Sequence, residues 1–288
     1  MGTTLVVGAS GQLGGRITRR LLEAGQSVRV LAREGSDVSA LMALGAGVTA
    51  GDLKDPASLK RAVDGVHRVL TTATSAARGE PDTAETVDRA GNMALVDAAA
   101  SAGVERFLLV SPQGADPSSP VPFLAAKGEA ERHLQASGLP WTVLACDVFM
   151  DVWVPMWVLG PIAQGQPVRL LGGSRRRHYF LAVDDVADLA VAAVAADAAR
   201  DSRLLVGGPQ PLSWSDVVAI VEQVHGHRVD TVRIPADRPV EGLPETVSGL
   251  LLSLETYDSP PPMDAEEART AYGVELTSLQ DWLRAAPH

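Results

Sequence analysis

Three observations predict an α/β chain built on a doubly wound parallel sheet. Short apolar, β-branched runs alternate with helical stretches through the first 146 residues, and that alternation gives parallel strands with helices on both faces. Glycines at 8, 11 and 14 fall between the first strand and the first helix, where such a fold turns most tightly. Beyond residue 146 the rhythm breaks, which predicts a smaller C-terminal α/β region.

The elements follow in order. Thr3–Val7 is an apolar, β-branched run and reads as a short buried strand. Arg16–Ala24 carries Ile17, Leu21 and Leu22 at helical spacing, with Gly25 as the stop. Ser27–Ala32 is the second strand, Val38–Leu44 a short helix and Gly47–Ala50 the third strand. Pro56–Val63 is helical, with proline in its first turn where a missing N–H costs little. Val66–Thr71 is the fourth strand, and Asp82–Ala102 a long helix stopped by Gly103. Arg106–Val110 is the fifth strand, closed by Ser111; Phe123–Ser137 is a helix ending at Gly138; Trp141–Ala145 is the sixth strand.

The second part begins with Asp151–Gln164, a bulky segment broken by Pro155 and Pro161. Val168–Leu171 is a strand, and Phe180–Val183 leads into an Ala/Val helix over Asp184–Ala196 whose two aspartates favour its N-terminus. Arg203–Val206 is a strand, Ser213–His225 a helix with Ser213 as its cap, and Val229–Ile234 a further strand. Ser259–Pro262 reads as a loop and Leu276–Ala286 as a closing amphipathic helix. Residues 1–150, rejoined by the chain at about 180–207, form the expected nucleotide-binding domain. Residues 151–179 and 208–288 form the expected substrate-binding region.

Composition narrows the class. Of the 288 residues, 46% are hydrophobic and 21% charged, which suits a packed globular chain and excludes general disorder. A formal charge of −10 argues against a nucleic-acid partner, and the short run Arg175–His178 is too small to reverse that. No apolar run approaches the length of a membrane span. The first strand begins within three residues of Met1, so the expected location is cytoplasmic. A single cysteine, Cys146, excludes an internal disulfide and a cysteine metal cage, and the six histidines lack metal-ligand spacing, so no metal is expected.

The glycine stretch carries the chemistry. A dinucleotide pyrophosphate needs a tight turn, a close backbone approach and a helix N-terminus with free N–H groups. Gly8, Ser10, Gly11, Gln12, Leu13 and Gly14 stand where those are supplied. The second strand ends at Arg33. An acidic residue there would accept from a ribose 2′-hydroxyl, whereas arginine suits a 2′-phosphate, so the expected cofactor is NADPH. Ligands bind at the carboxyl ends of such strands, which collects Gly8, Arg33, Asp52, Thr72 and Ser111 along one edge.

These stretches, with Gly51-Asp52-Leu53, Phe107–Ser111, Lys127–Glu131, Ser137–Leu144, Val183–Ala187 and Gly207–Trp214, resemble the NmrA-like branch of the atypical short-chain dehydrogenase/reductase superfamily. The match covers nearly the whole chain. It implies a Rossmann domain and a cofactor site of Gly8, Ser10, Gly11, Gln12, Leu13, Gly14, Arg33, Asp52, Leu53, Thr72, Ala73, Thr74 and Lys127. Asp52 and Leu53 belong to the adenine side, and Thr72–Ser75 with Lys127 to the nicotinamide ribose. The superfamily pairs a tyrosine with a lysine four residues on; here Lys127 is present but residue 123 is phenylalanine, which has no proton to give. The usual strand-end serine corresponds to Ser111 or Gln113, and the usual Arg-Pro after the sixth strand is replaced by Ala145-Cys146.

Lys127 and Ser111 are therefore the candidate catalytic residues. Trp153 and Trp157 fall four apart, with Phe149 just before them, in a chain with only 4% aromatic residues. Such a stripe serves either as core or as a wall for a flat substrate. With Gln113 and Phe123 these aromatics are the candidate substrate-binding residues. The expected activity is NADPH-dependent reduction of a bulky aromatic ketone or quinone, as in the tailoring of an aromatic polyketide antibiotic, by a monomer or homodimer. The alternative is an NADP(H) sensor that binds a partner protein without turnover, for which the absence of a tyrosine is no handicap.

Overall fold

The computed structural model describes residues 2–76 and 78–285. In the first part β1 (Thr4–Val7) is buried at every position. It leads through the glycine turn into α1 (Gln12–Glu23), which buries Gly14, Ile17, Thr18 and Leu21. Then follow β2 (Val28–Ala32), α2 (Ser39–Ala43) and β3 (Gly47–Ala50). In α3 (Pro56–Val63) the Asp55 carboxylate accepts from the amides of Ala57 at 3.0 Å and Ser58 at 3.2 Å, capping the helix. Next come β4 (Arg68–Thr71), α4 (Asn92–Ser101), β5 (Arg106–Pro112), α5 (Pro122–Ala136) and β6 (Trp141–Cys146).

The long helix expected over Asp82–Ala102 forms in two parts. Thr83 and Thr86 make a reciprocal capping box, so the helix starts at Ala84. From Ala84 to Gly91 it is π-helical, and only then continues as α4. The buried Asn92 side chain holds this transition: its Nδ2 donates to the carbonyls of Val87 and Asp88, and its Oδ1 accepts from Thr71 Oγ1.

Later elements are β7 (Val148–Phe149), α6 (Met150–Val154), α7 (Gly160–Ala163), β8 (Val168–Leu171), β9 (His178–Leu181), α8 (Val183–Ala195), β10 (Ser202–Val206), β11 (Pro211–Leu212), α9 (Trp214–His225) and β12 (Thr231–Ile234). They end with α10 (Glu245–Leu254), α11 (Ala265–Tyr272) and α12 (Leu279–Ala285). The seven-stranded sheet has the order β10-β6-β5-β4-β1-β2-β3. The β1–β2, β1–β4, β2–β3 and β4–β5 pairs are parallel. Strand order reverses at β1, so a crevice opens beyond the carboxyl ends of β1 and β4.

The chain divides into two compact units, one running through Ala145 together with Val186–Leu204, the other Cys146–Asp185 with the chain from Leu205 onward. The second unit holds the small sheets β11-β9-β7 and β12-β8. Its core includes Trp157, Phe180, Trp214 and Leu251, with the Phe180 and Trp214 rings edge to face at 5.0 Å.

Several boundaries differ from expectation for local reasons. The segment expected to break at Pro155 and Pro161 stays helical from Met150 to Ala163: the helix changes to a π-helical turn over Pro155–Leu159 and continues as α7, so the prolines are met by a local change of helix type instead of a break. The closing helix starts at Leu279 rather than Leu276, because the Ser278 hydroxyl accepts from the Asp281 amide and caps it there. Its expected end at Ala286 lies outside the described residues. Helices α10 and α11 lie in a stretch that the sequence pattern left without helix.

Candidate functional site

The site begins at the glycine turn. Gly8 has φ +91°, a left-handed value that disfavours any side chain, and a Cβ there would stand 2.5 Å from Thr72 Oγ1. A Cβ on Gly14 would stand 2.3 Å from the Gly8 carbonyl oxygen. The turn is closed by the Gly11 amide donating to Gly8 O at 3.0 Å. Gly11 is the N-cap of α1, no side chain caps the helix, and its first turn contains no acid. The amides that follow Gly11, including those of Gln12 and Leu13, thus face outward with the positive end of the helix dipole. An anion of phosphate type fits there without a change of backbone.

Beside this turn one pocket is lined by Gly8, Ser10, Arg33, Asp52, Leu53, Ala73 and Thr74, which the sequence assigned to the cofactor, with Leu31, Ser36, Val87, Arg78 and Asp82. The glycine cradle, the uncapped helix start and the basic lining fit a dinucleotide. Asp52 is held within its own loop, its Oδ1 accepting from the Lys54 amide at 2.8 Å. Gly51 packs so tightly that a Cβ would stand 2.4 Å from Ser58 Cβ.

Arg33 does not stand alone. Its Nη1 donates to Asp82 Oδ2 at 2.6 Å, and Arg78 Nη1 donates to the same oxygen at 3.1 Å. Lys54 Nζ bonds the other oxygen, Asp82 Oδ1. The Lys54 hydrogen bond is the largest influence holding the buried Asp82 carboxyl down to about 2, with Arg78 and Arg33 assisting. The same contact raises the Lys54 ammonium above its ordinary value. None of Lys54, Arg78 and Asp82 had been singled out from the sequence. Lys54 follows directly on Gly51-Asp52-Leu53, which is the one available signal; Arg78 lies in a stretch without a motif, and Asp82 reads from the sequence as the start of a helix that in the structure begins at Ala84.

Lys127 lies inside the first unit, its side chain only 3% exposed. Its Nζ is 3.0 Å from Asp88 Oδ1 and donates to the Ala73 carbonyl at 2.8 Å. Asp88 is fully buried, and its Oδ2 accepts from the Ser75 amide at 3.0 Å and the Ser75 hydroxyl at 2.5 Å. The Phe123 ring, one turn away on α5, has its centroid 6.0 Å from Lys127 Nζ. Sequence reasoning missed Asp88, which sits in the π-helical turn where α-helical spacing does not apply.

Ser111 is buried at the carboxyl end of β5, and its hydroxyl has no hydrogen-bond partner among the described residues. Gln113 is also buried, its backbone carbonyl accepting from Arg203 Nη2 at 2.9 Å. In the second unit Trp157 is 2% exposed, lies within the apolar core and carries the Arg169 guanidinium 5.0 Å over its ring. Its area is therefore spent on packing, whereas Trp153 is half-buried against that core and Phe149 is half-buried in β7. Among the described residues no helix is long and apolar enough to cross a membrane, and no group of three metal-ligating side chains comes together.

Fold and site together define a dinucleotide-binding protein of the Rossmann class. Residues 8–197 match the model of the NAD(P)H-binding family, and the chain belongs to that family. It is 30% identical over 263 residues to an NAD(P)H azoreductase of Xenophilus azovorans, covering 90% of this chain and 87% of that one. It is 28% identical over 231 residues to the photosystem II assembly factor Ycf39 of Guillardia theta, covering 80% and 73%. The Citrobacter sp. triphenylmethane reductase, solved with NADP(H), has the same fold with a TM-score of 0.81 at 20% identity, covering 99% of this chain and 100% of that one.

Proposed function

We propose that this protein is an NADPH-dependent reductase of a flat aromatic acceptor, a quinone or a polycyclic aromatic ketone. The observation that carries the proposal is the glycine cradle opening on a pocket lined by Arg33, in a chain related over most of its length to an NAD(P)H azoreductase. The second unit is the proposed substrate-binding region, with the half-buried Phe149 and Trp153 as its aromatic surfaces.

When bound, NADPH supplies a hydride. The residues of the chain supply the rest. Gly8, Ser10, Gly11, Gln12, Leu13 and Gly14 would hold the pyrophosphate, Arg33 the 2′-phosphate, and Asp52 with Leu53 the adenine side. Thr72, Ala73 and Thr74 would flank the nicotinamide ribose. Lys127, fixed on the Ala73 carbonyl and balanced by Asp88, keeps a positive charge beside that strand end. Phe123 cannot donate a proton, so the proton would come from the Ser111 hydroxyl, from water or from a hydroxyl on the substrate beside the carbonyl, with Gln113 two residues on from Ser111.

A binding protein without turnover is the second proposal. Phe123 in the tyrosine position favours it, as does the relationship to an assembly factor. The test is cofactor oxidation followed by absorbance against a panel of quinones, polycyclic hydroxyketones and an azo dye, with NADPH and NADH compared. Turnover with NADPH and little with NADH supports the reductase. Tight NADPH binding with no acceptor reduced supports the binding protein.

A further inference from the structure

The NADPH proposal assigns the 2′-phosphate to Arg33, yet the structure surrounds that side chain with charges that one arginine does not explain. Asp82 is buried at the edge of the pocket and takes three cations at once: Arg33 and Arg78 on Oδ2, Lys54 on Oδ1. Lys54 also lies 3.5 Å from Asp52 Oδ2. Three cations thus face two carboxylates, and the cluster is net positive within a chain of formal charge −10. Each arginine spends one terminal nitrogen on Asp82, and its remaining guanidinium nitrogens make no hydrogen bond among the described residues. Side-chain exposures of 40% for Arg33, 35% for Arg78 and 28% for Lys54 leave all three heads open to a solute.

These facts fit a phosphomonoester dianion. Such a group takes several charge-assisted hydrogen bonds, and arginine offers them in a fixed fork. Three like charges repel one another unless something gathers them, and a carboxylate bonded to all three does so before the ligand arrives. From this we infer that Arg78 and Lys54 join Arg33 in a three-cation cradle for the 2′-phosphate, and that Asp82 is the positioning residue that assembles it. The inference rests on the NADPH proposal and deepens it: cofactor choice in this chain is read by two residues of the loops after β3 and β4 as well as by the end of β2.

Calorimetry with adenosine 2′,5′-bisphosphate and 5′-AMP tests it without any turnover. The wild-type chain should prefer the bisphosphate. A charge-assisted hydrogen bond contributes enough to change affinity by about 10- to 100-fold. The Lys54→Gln/Arg78→Gln double variant should therefore lose about tenfold or more of that preference, while AMP affinity stays within about twofold and shows the pocket to be intact. Asp82→Asn should also lower the preference, although it makes the cluster more positive. If that variant binds the bisphosphate more tightly, Asp82 has no positioning role. If Arg33→Gln abolishes the preference and the double variant behaves like wild type, the cradle is overturned and Arg33 alone reads the phosphate. If the wild-type chain binds both ligands equally, the NADPH proposal itself fails.

Discussion

Lys127→Met is the most informative single perturbation of the first unit. Methionine keeps the length and apolar stem of lysine and removes the charge. The Asp88 carboxylate, fully buried, would then keep only the Ser75 amide and hydroxyl as partners. Removing one member of a buried pair costs about 3–5 kcal/mol, because the other charge stays out of water uncompensated. With two good donors remaining on Asp88, the lower end, about 3 kcal/mol, is expected. Asp88→Asn leaves the buried Lys127 ammonium without a counter-charge among the described residues, so about 3–5 kcal/mol is expected there as well.

The double variant separates a paired charge from two independent contacts. With both charges gone, asparagine still accepts from Ser75, and nothing ionic remains buried. Its cost should therefore fall about 2–3 kcal/mol short of the sum of the singles, at the upper end of couplings between touching residues. Hydrogen exchange at the β4 and β5 amides is the assay, since it reports on the first unit regardless of how the second unfolds. Strict additivity, or single variants within about 1 kcal/mol of wild type, would show that the pair is not the buried charge couple argued here.

Two other predictions bear on the nucleotide side. Gly14→Ala brings a methyl against the Gly8 carbonyl, a backbone group that cannot swing aside; overpacking of this kind costs about 1–3 kcal/mol of stability, to be read by hydrogen exchange in the first unit, and because the turn itself must shift, NADPH affinity should fall in a fluorescence titration. Asp82 predicts acid sensitivity. A carboxyl held at about 2 in the fold, against an ordinary 3.8, stabilises the folded state above pH 4 and loses that contribution as the pH falls toward 2. The difference is worth at most about 2.5 kcal/mol, and about 1–2 kcal/mol once solvent screening of the exposed cations is allowed for. Acid unfolding of Asp82→Asn should lack that component between pH 4 and pH 2, and an unchanged profile would mean that the three cations do not hold Asp82 down.

The Rossmann sheet was legible because its signals are local. Glycine spacing, apolar strand runs and caps such as Ser213 act over a few residues, and the structure places Gly8, Arg33 and Asp52 around one pocket as the strand ends required, while Thr72 and Ser111 of the same edge do not line it. What was not legible depends on contacts across the chain or on an irregular helix. Asp82 looks like the N-terminal aspartate of the helix that follows until Lys54, 28 residues away, is folded against it. Asp88 looks like a helix-surface acid, since α-helical periodicity gives no reason to turn it inward; the π-helical stretch does so, and Asn92 holds that stretch by bonding the carbonyls of Val87 and Asp88. Trp153 and Trp157 share a helical spacing, but only packing could divide them into one half-buried ring and one core ring.

The missing tyrosine leads to a final prediction. Phe123 and Lys127 lie one turn apart on α5, and both are buried. The lysine charge is already matched by Asp88, so the pair holds electrostatic balance and offers no spare proton. Among the described residues two buried hydroxyls lack a hydrogen-bond partner, Thr4 Oγ1 and Ser111 Oγ. Thr4 opens β1, at the end of the sheet away from the cofactor turn, whereas Ser111 lies at the carboxyl end of β5. A buried hydroxyl without a partner costs about 1–3 kcal/mol, and of these two that of Ser111 stands at the strand ends where a cofactor would lie. Ser111→Ala should therefore leave stability unchanged or raise it by about 1 kcal/mol. Turnover of a quinone should fall by about 100-fold or more, the range of a lost general acid. The two readouts move in opposite directions only if the hydroxyl serves the reaction; a variant that is more stable and equally active would take Ser111 out of the mechanism.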